Sequence, residues 1–402
     1  MLGPYVEVLR PRGAIAFSAS GLVARLPMSM LGISIVLAVS AESGSYGRAG
    51  LVAAAALLAQ AAVAPFQARI ADQFGQGRML RPVLAMHGLS LALFIALLDN
   101  GPLAALLLTA SLAGATLPSF GAMVRARWAR LYSGSPLLHT AYALESVLDE
   151  VVFVVGPVIA TVLATSLHPA SGLACTLLLT VGGGLVFAAQ RSTEPPPQPR
   201  TPHVVADRLP VPSLGWIVLT FAFMGGIFGS VEVVTVAFTD AAGMIELSGP
   251  LLAIYALGSL VSGLVVGAAR VRSGPRRRFV VGQALMAATL LPLPIVGPVA
   301  VLAAVLFAAG LAISPTLIAG FSLVEAVVPP SRLTEGFAWI STALNIGVSA
   351  GAAVSGRIVD GYGASPAYLV AIAFGASAAA ACVLGAFVDR RRPDRAREGT
   401  PR

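Results

Sequence analysis

The chain has 402 residues, of which 57% are hydrophobic and only 11% charged, and its net charge is +8. A soluble domain carries roughly 25% charged residues, so too little charge is present to cover soluble cores, and the composition is that of an integral membrane protein. Every basic residue is an arginine, confined almost entirely to short segments between apolar stretches; that placement speaks for membrane topology and against nucleic acid as a partner.

A bilayer-spanning helix needs about 20 mainly apolar residues. Six such stretches are predicted at 14–39, 48–67, 80–98, 102–123, 139–164 and 170–190. Arg10 and Arg12 precede the first, which is too long for the core of a signal peptide and reads as a first transmembrane helix. Residues 191–213 then break the pattern with a proline-rich polar segment, expected to be an extended linker. Six further spans follow at 214–239, 248–269, 279–297, 299–325, 334–356 and 366–388, the ninth and tenth parted by a turn with Pro292, Pro294, Gly297 and Pro298. The expected organisation is an N-terminal six-helix bundle over 1–190, a linker over 191–213, a C-terminal six-helix bundle over 214–389 and a basic tail over 390–402.

With twelve spans, both termini lie on one side. Nearly all the arginines fall there, including Arg125, Arg127 and Arg130 after the fourth span; Arg48 and Arg357 fall on the other side, and Arg25 lies within a span. Positive charge is retained on the cytoplasmic side, so a multi-pass protein of the cell membrane with cytoplasmic termini is expected. The halves also resemble each other. Residues 140–161 align without a gap on 335–356, pairing Tyr142 with Phe337, Ser146 with Ser341 and Gly156 with Gly351. Such parallel repeats are a transporter architecture, with the substrate path between them.

The stretch ARIADQFGQGR, after the second span, resembles the Gly-x-x-x-Asp-Arg-x-Gly-Arg-Arg signature of the major facilitator superfamily. Asp72 and Gly75 fit, Arg78 falls one place late, and Ala68, Gln73, Gln76 and Gly77 depart from it. The second half repeats the pattern in GAARVRSGPRRR, where Gly267, Arg272, Gly274 and Arg276 fit and Val271 replaces the acid. The resemblance implies an all-α fold of two pseudo-symmetric six-helix bundles. It also implies that Asp72, Gly75 and Arg78, with their second-half counterparts, form a cytoplasmic gate loop that latches the halves. Gly156 and Pro157 fit part of the helix 5 motif of the family's drug exporters, while Val152, Ala160 and Thr161 stand where that motif has glycine.

The fifth span carries Glu145, Asp149 and Glu150. A carboxylate at membrane depth costs roughly 2.5–3.5 kcal/mol on insertion scales, so such a residue needs a partner, a wet cavity or a function. On a helix, Glu145, Asp149, Val152 and Gly156 share a face, and Glu150 points about 100° away from Asp149. Arg25 lies at similar depth in the first span, which neighbours the fifth in the family fold, and is expected to pair with Glu150 or Asp149. One reading of these groups is a proton or substrate-charge site; the other is a structural ion pair. Glu232 in the seventh span is expected in the cavity or at an external gate. Asn345 takes the place of Glu150 in the second half. Met28, Ser119 and Phe228 are candidates for the cavity wall, and a largely apolar cavity with a few acids suits an amphipathic or cationic solute.

Cys175 and Cys382 lie in apolar spans and His87, His139, His168 and His203 are scattered, so neither disulfides nor a metal site is expected. No phosphate-binding loop, nucleophile elbow or dinucleotide fingerprint appears, so neither ATP drive nor enzymatic turnover is expected. The reading is a monomeric secondary transporter without cofactors. It moves a small molecule through the lipid bilayer by alternating access, with proton-coupled efflux ahead of proton-coupled uptake of a nutrient. A transport-inactive membrane sensor on the same fold is the alternative from another class.

Overall fold

No water meets a bare N–H or C=O in hydrocarbon, so an apolar chain crosses as helix, its hydrogen bonds closed within the segment. The computed structural model describes residues 3–133, 135, 137–197, 211–268, 273–328 and 333–390, and the regular structure among them is helical throughout. The first half runs α1 (Gly3–Val8), α2 (Ala14–Arg25), α3 (Pro27–Ser43), α4 (Tyr46–Phe74), α5 (Gln76–Leu97), α6 (Leu103–Ala115), α7 (Phe120–Leu131), α8 (Leu137–Ser166) and α9 (Ser171–Ala189). The second runs α10 (Val211–Ala241), α11 (Ser248–Ala268), α12 (Pro275–Leu290), α13 (Val299–Gly310), α14 (Ile313–Val327), α15 (Leu333–Tyr362) and α16 (Ala364–Arg390). Eleven spans among the described residues are long and apolar enough to cross a membrane, with α2–α3, α6–α7 and α13–α14 each forming one of them. The 30-residue α15, at the place of the predicted eleventh span, is not among these eleven.

Proline places the breaks. Pro27 has no N–H and its ring crowds the carbonyl four residues back, so the first span restarts at that residue. Pro118 lies in the gap between α6 and α7. Beyond that gap the fourth span continues to Leu131 rather than stopping at 123, so Arg125, Arg127 and Arg130 stand on a helix and not in a loop. Their strong polarity ends an apolar window early, although a guanidinium that finds acceptors is tolerated there. The second span likewise extends to Phe74 and carries Asp72 in its last turn.

Within each half the helices pack side by side, α3 on α4, α8 and α9 in the first, and α10 on α15 and α16 in the second. The halves meet along two seams, α4 with α15 and α8 with α11. Both seams are tight at the end opposite the linker. There a methyl group at Gly50 would overlap the Ala352 carbonyl, one at Gly356 the Tyr46 carbonyl, and one at Gly249 the Pro157 carbonyl. Toward the linker end the same helix stripes are uncovered. On α8, Tyr142, Ser146 and Phe153 are exposed where Pro157, on the same stripe, is buried; on α15, Ser341 is exposed where Ala352 is buried. The halves thus approach most closely at the far end, and these stripes are less covered toward the linker end.

Candidate functional site

The break at Pro27 leaves Arg25 at the C-terminus of α2, where free carbonyls favour a cation. Its Nε donates to the Gly21 carbonyl at 3.2 Å, and its guanidinium reaches α8. Nη1 donates to Asp149 Oδ1 at 2.7 Å and Nη2 to Glu145 Oε2 at 2.5 Å. Glu145 is fully buried and also accepts from Ser18 Oγ at 2.9 Å and Trp128 Nε1 at 2.7 Å. Arg125 of α7 closes the set by donating from Nη2 to Asp149 Oδ2 at 2.7 Å. Two carboxylates thus face two guanidiniums, joining the first, fourth and fifth spans with no net charge. A buried ion pair holds only when its remaining polar atoms are also satisfied, and Glu145 meets that condition. Its end of the network is sealed; the Asp149 and Arg125 side chains, 23% and 36% exposed, form the wet end.

Arg25 therefore takes Glu145 and Asp149, and Glu150 stays apart from it. Glu150 instead looks across to the second half, where Ser314 Oγ of α14 donates to it at 3.4 Å and shares a 2.8 Å bond with Ser259 of α11. Glu232 lies nine residues from the far end of α10, about 14 Å along the helix. It is partly buried and leans on α3, where a Cβ at Gly32 would lie 2.6 Å from its Oε1. A side chain at Gly32 would push that carboxylate aside. Arg25, Met28 and Gly32 follow one another at helical spacing, and Met28 is exposed between them. None of the ion pairs among the described residues includes Glu150 or Glu232.

Phe228, one turn from Glu232, sets its ring edge-on to Tyr255 at 6.5 Å. Ser119 is partly buried just ahead of α7. Asn345 is partly buried on the α15 stripe that carries Ala352. Gly156 abuts Ser29 and Met30 of α3, where a Cβ would overlap Ser29 Oγ, and Ser29 Oγ donates to the Val152 carbonyl at 2.7 Å. The Pro157 carbonyl meets Gly249 of the other half. The two motif residues thus sit where α8 touches both α3 and α11.

In the gate loop, Asp72 and Arg78 are exposed, while Gly75 is buried with φ +93°, a conformation that favours glycine. Glu194, just past α9, accepts from the Gly77 amide at 2.9 Å and would clash with any Cβ on Gly75. Arg127 is fully buried beside it. It donates to Gln76 Oε1, to Thr193 Oγ1 and to the Gln190 and Phe187 carbonyls, and its guanidinium stacks 3.7 Å from the Phe187 ring centre. In the second half, Gly267 lies in the last turn of α11, Gly274 precedes α12 and Arg276 is its second residue, whereas Arg272 falls outside the described residues.

Arg125, Arg127, Trp128 and Glu194 escaped the sequence reading because they lay in segments taken for loops. The one available signal was the three-residue rhythm of Arg125, Trp128 and Leu131, which continues the helix of the fourth span. Among the described residues no group of three or more His, Cys, Asp or Glu side chains could hold a metal ion.

The sequence model of the Major Facilitator Superfamily matches residues 17–251 and 239–402. A comparison with curated proteins returned no match. Among solved structures, the nucleoside transporter NupG is similar over 92% of this chain and 98% of its own, with 12% identity and a TM-score of 0.71. The POT family transporter PepTSo is similar over 94% and 98%, with 12% identity and a TM-score of 0.71. A bacterial homolog of the human lysosomal transporter Spinster, inward-facing and occupied, is similar over 94% and 99%, with 13% identity and a TM-score of 0.65. At these identities the likeness is one of fold.

Proposed function

The chain belongs to the Major Facilitator Superfamily, a family of membrane transporters, and on that premise we propose that it is a proton-coupled exporter of small organic cations or amphipathic molecules, working by alternating access. The observation that carries this reading is the contrast between matched and unmatched acids. Glu145 and Asp149 are matched by Arg25 and Arg125. Glu150 and Glu232 face the other half with no ion pair among the described residues. A carboxylate removed from water and left without a cation is costly, and either a proton or a cationic solute relieves that cost. One site that takes either, but not both, couples the two fluxes in opposite directions. Glu232 is placed for that exchange, because it bridges α10 of one half and α3 of the other, and its occupancy bears on how the halves meet.

The arginine distribution supports a cytoplasmic linker end, which would turn the less covered end inward, ready to collect solute from the cell. Phe153, one turn from Glu150, is exposed, as is Phe321 two turns from Ser314. They add aromatic wall, to which organic cations are attracted. Asp72 and Arg78 of the gate loop stand exposed, as a cytoplasmic latch does when released.

The test is reconstitution into vesicles with an imposed pH gradient and a panel of fluorescent organic cations. Wild-type protein is expected to drive cation movement against the proton flow. Glu232→Gln should abolish gradient-driven accumulation while leaving thermal stability within about 0.5 kcal/mol, since it breaks no ion pair. Co-directional movement of solute and protons would instead mark an importer. Wild-type behaviour of both Glu232→Gln and Glu150→Gln under every gradient would overturn the assignment.

A further inference from the structure

At the far end of the molecule, three helix termini from the two halves are tied together by side chains. The first amides of a helix have no partner within it, and at the start of α4 that role falls to Asp360 in the last turn of α15. Asp360 accepts from the Tyr46 amide at 2.7 Å, the Gly47 amide at 2.9 Å and Ser45 Oγ at 2.6 Å. Ser45 Oγ in turn accepts from the Arg48 amide at 3.1 Å. Tyr46 Oη donates to Asp240 Oδ2 at 2.9 Å, at the end of α10. The cap on a first-half helix is thus supplied by the second half. Directly beneath it, Gly47 leaves room for the Asp360 carboxylate and Gly356 for the Tyr46 carbonyl.

The matching seam is built otherwise. Where α8 meets α11, the polar contact among the described residues is a 3.3 Å bond between the hydroxyls of Thr161 and Ser248. The charged cap occurs on one seam alone among the described residues, and neither Asp360 nor Asp240 forms an ion pair there. Arg357, one turn before Asp360, and Arg48 are the nearest arginines along the chain, and both are exposed.

We infer that Asp360 is the releasable bolt of the far gate, and that Tyr46 with Asp240 is its second catch. For the crevice to open at the far end, α15 must swing away from α4. Asp360 then leaves the Tyr46 and Gly47 amides to water. Every bond in this cluster that crosses the halves exists only while that end is shut, so the cluster biases the protein toward the state open at the linker end. A ligand or bond shifts a two-state equilibrium by its differential strength alone, and this one is wholly differential.

The readout is the labelling rate of a single cysteine at Ala53. That residue lies in the α4 wall one turn from Gly50 and is 3% exposed while the gate is shut. The parent chain without that cysteine is the blank for Cys175 and Cys382. In full-length protein in vesicles, with an impermeant thiol reagent, the rate tracks the fraction of time the gate stands open. Asp360→Ala is expected to raise it about fivefold, the effect of losing one helix cap. Tyr46→Phe, which deletes one oxygen atom, should raise it by a smaller factor, and Asp360→Glu should restore it toward wild type. Thr161→Val, on the other seam, should raise it by only about twofold, the low end for one neutral hydrogen bond, because that 3.3 Å bond is long and Ser248 keeps its bond to the Ile245 carbonyl. Unchanged rates in both Asp360→Ala and Tyr46→Phe, with the protein folded, would overturn the inference. Because this rate needs neither substrate nor proton gradient, it stands or falls separately from the coupling role of Glu232.

Discussion

α8 and α15 hold matching places in the two halves, yet they grip their neighbours by opposite means. Laid on one another, they pair Glu145 with Ile340, Asp149 with Leu344 and Glu150 with Asn345. α8 is tied to α2 and α7 through the Arg25 and Arg125 network. α15 meets α10 backbone to backbone. A Cβ at Gly347 would overlap the Ala222 carbonyl, one at Gly351 the Gly226 carbonyl, one at Gly225 the Leu344 carbonyl and one at Gly229 the Val348 carbonyl. Small residues let membrane helices approach this closely, and van der Waals contact then does what the hydrophobic effect cannot do in lipid. Interlocked backbones have one fitting position, whereas charged side chains can trade partners. The first half is thus held through charged side chains, and the second, which carries Glu232, through interlocked backbones that make it the stiffer body.

Removing the charge that completes the α8 network should have the largest effect. Arg25→Met leaves Glu145 fully buried without its cation, which costs about 3–5 kcal/mol and should appear as a large fall in thermal stability in detergent. Arg25→Met combined with Glu145→Met should recover more than half of that loss, because a buried pair replaced by apolar groups is often neutral. Equal stability of Arg25→Met and wild type would show that charge does not hold this half together.

Gly347→Ala tests the other grip. Its methyl group meets a backbone carbonyl of α10, which cannot rotate aside as a side chain would. The expected cost is about 1–3 kcal/mol, the usual range for overpacking, measured by the same unfolding assay. Gly182→Ala on α9, where a Cβ meets nothing within 4 Å, is the control. It should gain about 0.5–1 kcal/mol from the better helix former. A neutral Gly347→Ala would mean that α10 and α15 slide, and the contrast between the halves would dissolve.

Most spans were legible because hydropathy reads along the chain, and eleven of the twelve expected stretches recur as long apolar helices among the described residues. What failed was the end of the fourth span, where Arg125 and Arg127 look like loop residues until their acceptors are known. The place of Arg25, Glu145, Asp149, Glu150 and Glu232 within long apolar helices was also visible, since a charge inside an apolar run stands out. Their pairing was legible only in part, since Asp149 was expected beside Arg25 and Glu145 was not. Helical spacing put Glu145 and Asp149 on one face, but which acid met Arg25 depended on the break at Pro27 and on Trp128 arriving from α7. The Asp360 cap gave no signal at all. It joins residues 314 positions apart at a helix end, where an aspartate is unremarkable in any single sequence.

The smallest effect should come from Asp149→Asn, which separates the sealed and wet ends of the α8 network. The change leaves Arg25 bonded to Glu145, which keeps its three donors from Ser18, Trp128 and Arg25. Arg125 loses its carboxylate but is 36% exposed and can turn to water. The cost should therefore be about 1 kcal/mol, as for a partly exposed ion pair. It should shrink further with added salt as the screening length falls, which the stability lost in Arg25→Met should not do. A loss as large as that of Arg25→Met would place Asp149 in the sealed core with Glu145, leaving the network without the accessible limb through which it could respond to the contents of the crevice.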